Sequence, residues 1–297
     1  MNKYIDFTNW IDRLPSPLQP YLRLMRLDKP IGTWLLLLPC WWSVALAADK
    51  YPNLLYLFLF AVGAVVMRAA GCIVNDLYDR NLDSKVARTA TRPLASGEIE
   101  IWQAVVLLIV LLLIGFGVLV SFNDLTIWVG ASSLLLVAIY PAMKRITWWP
   151  QLILGFTFNW GALLGWTAVH DFIGLPTIPL YIAGIFWTLG YDTIYAQQDV
   201  LDDARVGIKS SALLLGDAVL PWVALFYAIA VLFLMLAGVS ANLGKSYYVV
   251  LTLAAVFIAV QLTLWRRDDP DNCLNRFCAN RDFGLMIFAA IILGKYF

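Results

Sequence analysis

Long apolar runs alternate with short polar, often basic, segments along the whole chain. The runs lie at about residues 31–48, 54–74, 102–122, 125–142, 152–169, 175–193, 218–239, 247–265 and 283–295. Each approaches the roughly 20 residues that a helix needs to cross a bilayer, and the last is the shortest. The pattern predicts an all-α, polytopic membrane protein of about nine transmembrane helices in a bundle. Residues 1–30 break the pattern, with Trp10, Pro15, Pro17 and Pro20 ahead of Tyr21-Leu22-Arg23-Leu24-Met25-Arg26. They read as an amphipathic interfacial segment leading into the first span of a single membrane domain over 1–297. Nothing in them resembles a signal peptide's apolar stretch, and Asp6 and Asp12 with few early arginines argue against an organelle transit peptide.

The second run ends in Asn75-Asp76-Leu77-Tyr78-Asp79-Arg80-Asn81-Leu82-Asp83. Steps of three and four residues return to nearly one side of a helix with about 3.6 residues per turn. Asn75, Asp76, Asp79 and Asp83 therefore form a polar stripe if the helix continues past the apolar run. A carboxylate near a bilayer is costly, about 2.5–3.5 kcal/mol at the centre by insertion scales, so an acid cluster there points to a cation or a chemical task. A solvated acidic loop at the membrane surface is the plainer alternative.

The pattern recurs. Asp79-x3-Asp83-Ser84-Lys85-Val86 is echoed 120 residues later by Asp199-x3-Asp203-Ala204-Arg205-Val206, again after an apolar run, here ending in Gly190-Tyr191-Asp192. The runs beginning near Ile31 and Gln151 share that offset. This suggests an internal pseudo-repeat with an acidic stripe at an equivalent helix end in each half. Two such stripes facing one another across a bundle would suit a divalent ion. Carboxylates without nearby Cys or His favour a hard, oxygen-ligated one such as Mg²⁺.

Composition agrees. The chain is 61% hydrophobic and 14% charged, with a mean hydropathy of +0.76, against about 25% charged in soluble domains. The net charge of +1 says nothing about partners, no long basic tract suggests nucleic acid, and no obligate protein partner is evident. Cys40, Cys72, Cys273 and Cys278 have no metal-binding spacing, and the first two read as small buried side chains. The single histidine, His170, reads as an ordinary loop residue.

Lys and Arg are distributed unevenly. One side of the membrane receives Lys3, Arg13, Arg23, Arg26 and Lys29, then Arg80, Lys85, Arg88 and Arg92, then Lys144 and Arg145, Arg205 and Lys209, and the four arginines of the loop after span eight. The other side receives only Lys50, Lys245 and Lys295, while Arg68 lies inside span two. By the positive-inside rule the basic side, with the N-terminus and both acidic stripes, is cytoplasmic. Trp41-Trp42 and Trp148-Trp149 are placed as interfacial anchors would be.

Acids that bind Mg²⁺ beside bases that reach phosphate oxygens make a diphosphate site. Arg88, Arg92, Lys144, Arg145 and Lys209 supply the bases, although topology alone accounts for them equally well. Arg68 precedes Asn75 by seven residues and shares its helix face, so it reads as a counter-ion to the stripes rather than a substrate contact. Asn159, in mid-span, is either a helix–helix hydrogen bond or a polar group of a cavity.

Several longer motifs carry a resemblance. Asn75-Asp76-x2-Asp79-x3-Asp83 resembles the first aspartate motif of the UbiA-type intramembrane prenyltransferases, and Tyr191-Asp192-x2-Tyr195-Ala196-x2-Asp199-x3-Asp203 resembles the second. Three further stretches are similar to the branch that prenylates 4-hydroxybenzoate. They are Arg23 through Thr33, Arg88-Thr89-x2-Arg92-Pro93-Leu94-x-Ser96-Gly97, and Tyr140-Pro141-x-Met143-Lys144-Arg145-x-Thr147-x2-Pro150-Gln151. The resemblance covers about residues 21–215. Val200-Leu201 departs from it where some relatives carry more acids, while Asp199, Asp202 and Asp203 remain.

The resemblance implies a nine-helix bundle with a central cavity near the cytoplasmic face. It implies Mg²⁺-dependent transfer of a polyprenyl group from its diphosphate to the ring carbon of 4-hydroxybenzoate ortho to the hydroxyl, in ubiquinone synthesis. It also implies roles: Asp76, Asp79, Asp199 and Asp203 on Mg²⁺–diphosphate with Asn75 and Asp83 in support, and Arg88, Lys144 and Lys209 on the diphosphate. Asp192 would orient or deprotonate the phenol, and Arg145, with Arg26 second, would hold the benzoate carboxylate. The location expected is a bacterial inner membrane, with the mitochondrial inner membrane as the alternative. Two other readings stay open: a different aromatic acceptor (homogentisate, a naphthoate or haem), and a cation-coupled transporter, which internal repeats and intramembrane charges also fit.

Overall fold

A computed structural model describes residues 8–84 and 89–296. Among the described residues its regular secondary structure is all helical. The helices in chain order are α1 (Gln19–Leu24), α2 (Ile31–Ala47), α3 (Leu54–Asp83), α4 (Pro93–Ser96), α5 (Ile101–Leu119) and α6 (Asp124–Ile146). They continue with α7 (Pro150–Phe158), α8 (Gly161–Val169), α9 (Thr177–Ala196), α10 (Val200–Val206), α11 (Ser211–Leu215) and α12 (Val219–Ser240). The last three are α13 (Lys245–Thr263), α14 (Pro270–Cys278) and α15 (Asn280–Tyr296). Among the described residues, seven helical stretches are long and apolar enough to cross a membrane. The 17-residue α2 is a shorter apolar helix, and the 20-residue α9 is long enough but more polar. Together these correspond to the nine runs expected.

α9 is more polar because it faces protein rather than lipid. Thirteen of its 20 residues are buried, among them Thr177, Thr188, Thr193 and Tyr191. α5 is the opposite case: its exposed Ile, Leu, Val and Phe side chains are a lipid-facing surface.

The chain forms two compact units. One takes in the described parts of Met1–Trp34 together with Ala61–Ser121. Its core joins Leu24 of α1 to Val66, Ala69, Ala70 and Ile73 of α3, Leu94 of α4, and Ile99, Ala104 and Leu111 around α5. Their packing against one another fixes the C-terminal half of α3 to α1, α4 and α5.

The other unit takes in Leu35–Phe60 and Phe122–Phe297. α9 is its centre, flanked by α7, α8, α12 and α14. Polar side chains stitch these helices where lipid offers no hydrogen-bond partner. Trp187 Nε1 and Tyr227 OH both donate to Asn280 Oδ1, at 2.9 and 3.0 Å. Asn159, at the break between α7 and α8, is fully buried and donates through Nδ2 to Thr188 Oγ1 at 2.8 Å. The helix–helix reading of Asn159 is therefore the correct one. Its approach depends on Gly184, where any Cβ would collide with the Asn159 amide.

The tryptophans at 41 and 42 are not interfacial anchors. Trp42 is 1% exposed, donates to the Gly284 carbonyl at 2.8 Å and packs on Trp187 at 4.9 Å. Trp41 donates to the Leu57 carbonyl at 3.0 Å and packs against Phe288. Both sit in the middle of α2, where their N–H groups find backbone carbonyls inside the protein and need no headgroup region. The four cysteines are free and buried, and His170 closes α8 with Nε2 2.9 Å from the Ala47 carbonyl.

Candidate active site

α3 runs unbroken through the end of its apolar stretch to Asp83, so the acidic stripe exists as the spacing requires. Its members are strongly buried: Asp76 is 1% exposed, Asp79 2% and Asp83 8%. Burial of three carboxylates on one helix face demands compensation, and the same unit supplies it. Arg26 Nη2 reaches both oxygens of Asp76, at 2.8 and 2.7 Å. Arg92 Nη1 lies 2.6 Å from Asp83 Oδ2 and 3.2 Å from Asp76 Oδ1, so one nitrogen bridges two acids of the stripe.

Local backbone features place both arginines. Arg26 follows α1 with φ +57°, a left-handed conformation that a non-glycine residue adopts only at a cost of about 1–2 kcal/mol. That turn, closed by Leu27 N donating to the Leu22 carbonyl at 3.1 Å, directs the side chain to Asp76. Arg92 is extended just ahead of Pro93, the first residue of α4, as the residue before a proline prefers. Thr89 Oγ1 donates to the Asp83 carbonyl at 2.9 Å and ties the returning loop to the end of α3. Arg68, further back on α3, lies against the backbone at the start of α2, where Gly32 leaves no Cβ in its way.

Arg26 appeared in the sequence only as a second choice for an acceptor carboxylate; the structure makes it the principal counter-ion of Asp76. Arg92 was recognised as a nearby base but not as a site residue. The signal that marks it is its position nine residues after Asp83 and one before a helix-starting proline. Arg88 lies outside the described residues.

In the second unit the echo of the stripe is built differently. Asp192 is on α9, Asp199 ends a 3-10 turn at Gln197–Asp199, and Asp203 is on α10. The three half-buried acids thus occupy three consecutive elements rather than one helix. The bases gather at the C-terminal end of α6. Lys144 and Arg145 are in its last turn. Lys209 donates through its backbone N to the Lys144 carbonyl at 2.9 Å and through Nζ to the Ile146 carbonyl at 3.0 Å. Carbonyls in a last helical turn have no helical donor, so a lysine there both caps the helix and offsets its dipole. Ser211 N donates to Gln151 Oε1 at 3.0 Å, and Ser211 shares a 2.6 Å hydrogen bond with Thr193. These bonds hold the Lys209 segment against α7 and α9. Among the described residues no three acids, histidines or cysteines converge as a ready metal centre; what converges is carboxylate with guanidinium.

Fold and site together define a multi-span, all-helical membrane protein with buried acids and bases at the end of a long apolar helix. The chain belongs to the UbiA prenyltransferase family, whose pattern matches residues 36–290. It is similar to the 4-hydroxybenzoate polyprenyltransferase, mitochondrial, of Bos taurus, with 51% identity over 96% of this chain and 78% of that protein. The Homo sapiens protein of the same name is 49% identical over the same shares. Among solved structures, the apo UbiA homolog of Aeropyrum pernix K1 superposes with a TM-score of 0.74 at 25% identity, over 89% of this chain and 98% of that one. A UbiA homolog of Archaeoglobus fulgidus bound to GPP and Mg²⁺ shares the fold, with a TM-score of 0.70 at 20% identity over 92% and 99% of the two chains.

Proposed function

We propose that this chain is a 4-hydroxybenzoate polyprenyltransferase. It transfers a polyprenyl group from its diphosphate to the ring carbon ortho to the hydroxyl, in ubiquinone synthesis. The observation that carries the reading is the 51% identity, over nearly the whole chain, to a protein of that name. The buried acid–arginine cluster on α3 supports the chemistry. Two of its carboxylates, Asp76 and Asp83, share one cationic nitrogen, that of Arg92, which supports a reading in which a bound cation takes a similar place. All the candidate ligands are hard oxygen donors, which suits Mg²⁺, the ion held by the fold relative from Archaeoglobus fulgidus.

The proposed ligands are Asp76 and Asp79, with Asn75 and Asp83 in support, and Asp199 and Asp203. Mg²⁺, when bound, neutralises the diphosphate and so assists its departure. Lys144, Lys209 and Arg88 are the proposed contacts of the diphosphate oxygens, a task that guanidinium and ammonium groups perform without a proton transfer. Arg145 is proposed to hold the carboxylate of the acceptor, with Arg26 as the second choice. The C–O bond to the diphosphate breaks, the allylic carbon bonds to the ring, and the ring carbon releases its proton. Asp192 is proposed to orient the phenol or accept its proton. An apolar setting would keep water from intercepting the allylic carbocation left when the C–O bond breaks.

The chain is proposed to act as one domain over 1–297 in an inner membrane, with the N-terminus and site on the cytoplasmic or matrix side. The bacterial membrane was the expectation from the sequence, and the names of the relatives favour the mitochondrial one. The test is an acceptor panel. Membranes holding the protein and a polyprenyl diphosphate are offered 4-hydroxybenzoate, homogentisate and a dihydroxynaphthoate. Prenylated hydroxybenzoate is the expected product; prenylation of another acceptor in its place would overturn the assignment.

A further inference from the structure

Beside the α3–α4–α5 corner lies an open groove of about 700 Å³ lined by Arg80, Glu100, Ile101, Trp102, Val105 and Val106. Its two ends differ in chemistry. At one end Arg80 is anchored through Nε to the Leu94 carbonyl at 3.2 Å. Beside it the Glu100 carboxylate accepts Trp102 Nε1 at 2.6 Å. The remaining wall is valine and isoleucine on the lipid-facing side of α5, with Ile101, Trp102 and Val106 about half exposed or more.

We propose that this groove is a binding site for one phospholipid with a primary-ammonium headgroup, of the phosphatidylethanolamine type. The charge pattern selects it: one guanidinium for the phosphate and one carboxylate for the ammonium. A purely anionic headgroup would meet Glu100 unfavourably, and a quaternary ammonium has no N–H to donate to it. The apolar wall fits a lipid rather than free phosphate, because an acyl chain can lie along Val105 and Val106 while the headgroup stays at the polar end. Trp102 stands at the headgroup level, where an indole with one apolar face and one polar edge prefers to sit. Arg80 follows Asp79 directly on α3, so an occupied groove braces the helix that carries the acidic stripe.

Trp102 provides the readout. The full-length protein is reconstituted in phosphatidylcholine vesicles containing equal small fractions of acyl-brominated phosphatidylethanolamine, phosphatidylcholine or phosphatidylglycerol. The Trp102 contribution is isolated as the difference between the wild type and Trp102→Phe. Both lipids carry the phosphate that Arg80 contacts, so only the ammonium N–H donation to Glu100 separates them, and one exposed ion pair is worth roughly a threefold preference. The expected result is about threefold stronger quenching by the ethanolamine lipid than by the choline lipid. That preference falls to parity in Glu100→Gln, whereas Arg80→Gln weakens quenching by both lipids and Arg80→Lys keeps it. Equal quenching by ethanolamine and choline lipids, a preference that survives Glu100→Gln, undiminished quenching in Arg80→Gln, or stronger quenching by the glycerol lipid would each overturn the proposal.

Discussion

Replacing Arg26 by alanine removes two hydrogen bonds, at 2.8 and 2.7 Å, from an Asp76 carboxylate whose side chain is 2% exposed. Breaking a buried ion pair from one side typically costs about 3–5 kcal/mol, because the other charge is left behind. Two features reduce the loss here. The Arg26 side chain is itself 16% exposed, and Arg92 still reaches Asp76 at 3.2 Å. A destabilisation of about 2 kcal/mol follows, equivalent to a fall in Tm of about 4–8 °C for a protein of this size class. Since all four cysteines are free and buried, a thiol-reactive dye in detergent reports unfolding directly. Two further variants isolate the cause. Arg26→Gly should recover about 1 kcal/mol relative to alanine, because the left-handed turn at φ +57° suits glycine. Asp76→Asn combined with Arg26→Ala should fall less than the sum of the single changes, since residues in one ion-pair network couple by about 0.5–3 kcal/mol. An unchanged Tm in Arg26→Ala, or strict additivity in the double variant, would refute the pairing as a stabilising contact.

Three other changes probe different parts of the molecule. Arg145→Ala should raise the acceptor KM about 10–100-fold, the loss of one charge-assisted contact of about 1.5–3 kcal/mol, and leave the donor KM nearly unchanged; an unchanged acceptor KM removes Arg145 from its proposed role. Gly184→Ala drives a methyl group into the buried Asn159 amide and should destabilise by about 1–3 kcal/mol. A Tm equal to wild type would show that the α7–α9 contact yields without strain. Trp42→Phe loses the hydrogen bond to the Gly284 carbonyl and should lower stability by about 1 kcal/mol while leaving quenching by headgroup-level brominated lipid unaltered. Loss of quenching in this variant would return Trp42 to the interface.

What could be read in advance followed from periodicity. The apolar runs correspond to helices because backbone groups inside a bilayer have no other way to satisfy their hydrogen bonds. The stripe on α3 was legible because Asn75 through Asp83 contain no proline or glycine, so the helix continues. The same reasoning extended to the second stripe missed the tightening at Gln197–Asp199, which no residue type in that stretch announces. Pairing was less legible than placement. The bases around the stripes were visible, but the choice of Arg26 and Arg92 as partners of Asp76 depends on the turn after α1 and on the chain's return through Thr89 to Pro93. Trp41 and Trp42 were misjudged because an interfacial preference is an average, whereas their neighbours Trp187, Phe288 and the Gly284 carbonyl are tertiary contacts. Asn159 could be decided only once Thr188 was known to face it.

The reaction proposed for the chain joins a polyprenyl group to 4-hydroxybenzoate with the help of a divalent cation. The most direct measurement incubates purified protein in lipid with a polyprenyl diphosphate and 4-hydroxybenzoate and follows the product by mass, with Mg²⁺ and with a chelator. Prenylated hydroxybenzoate is expected with Mg²⁺ and none with the chelator, restored when excess Mg²⁺ is returned. No product in the presence of Mg²⁺, or equal product with the chelator, would contradict it.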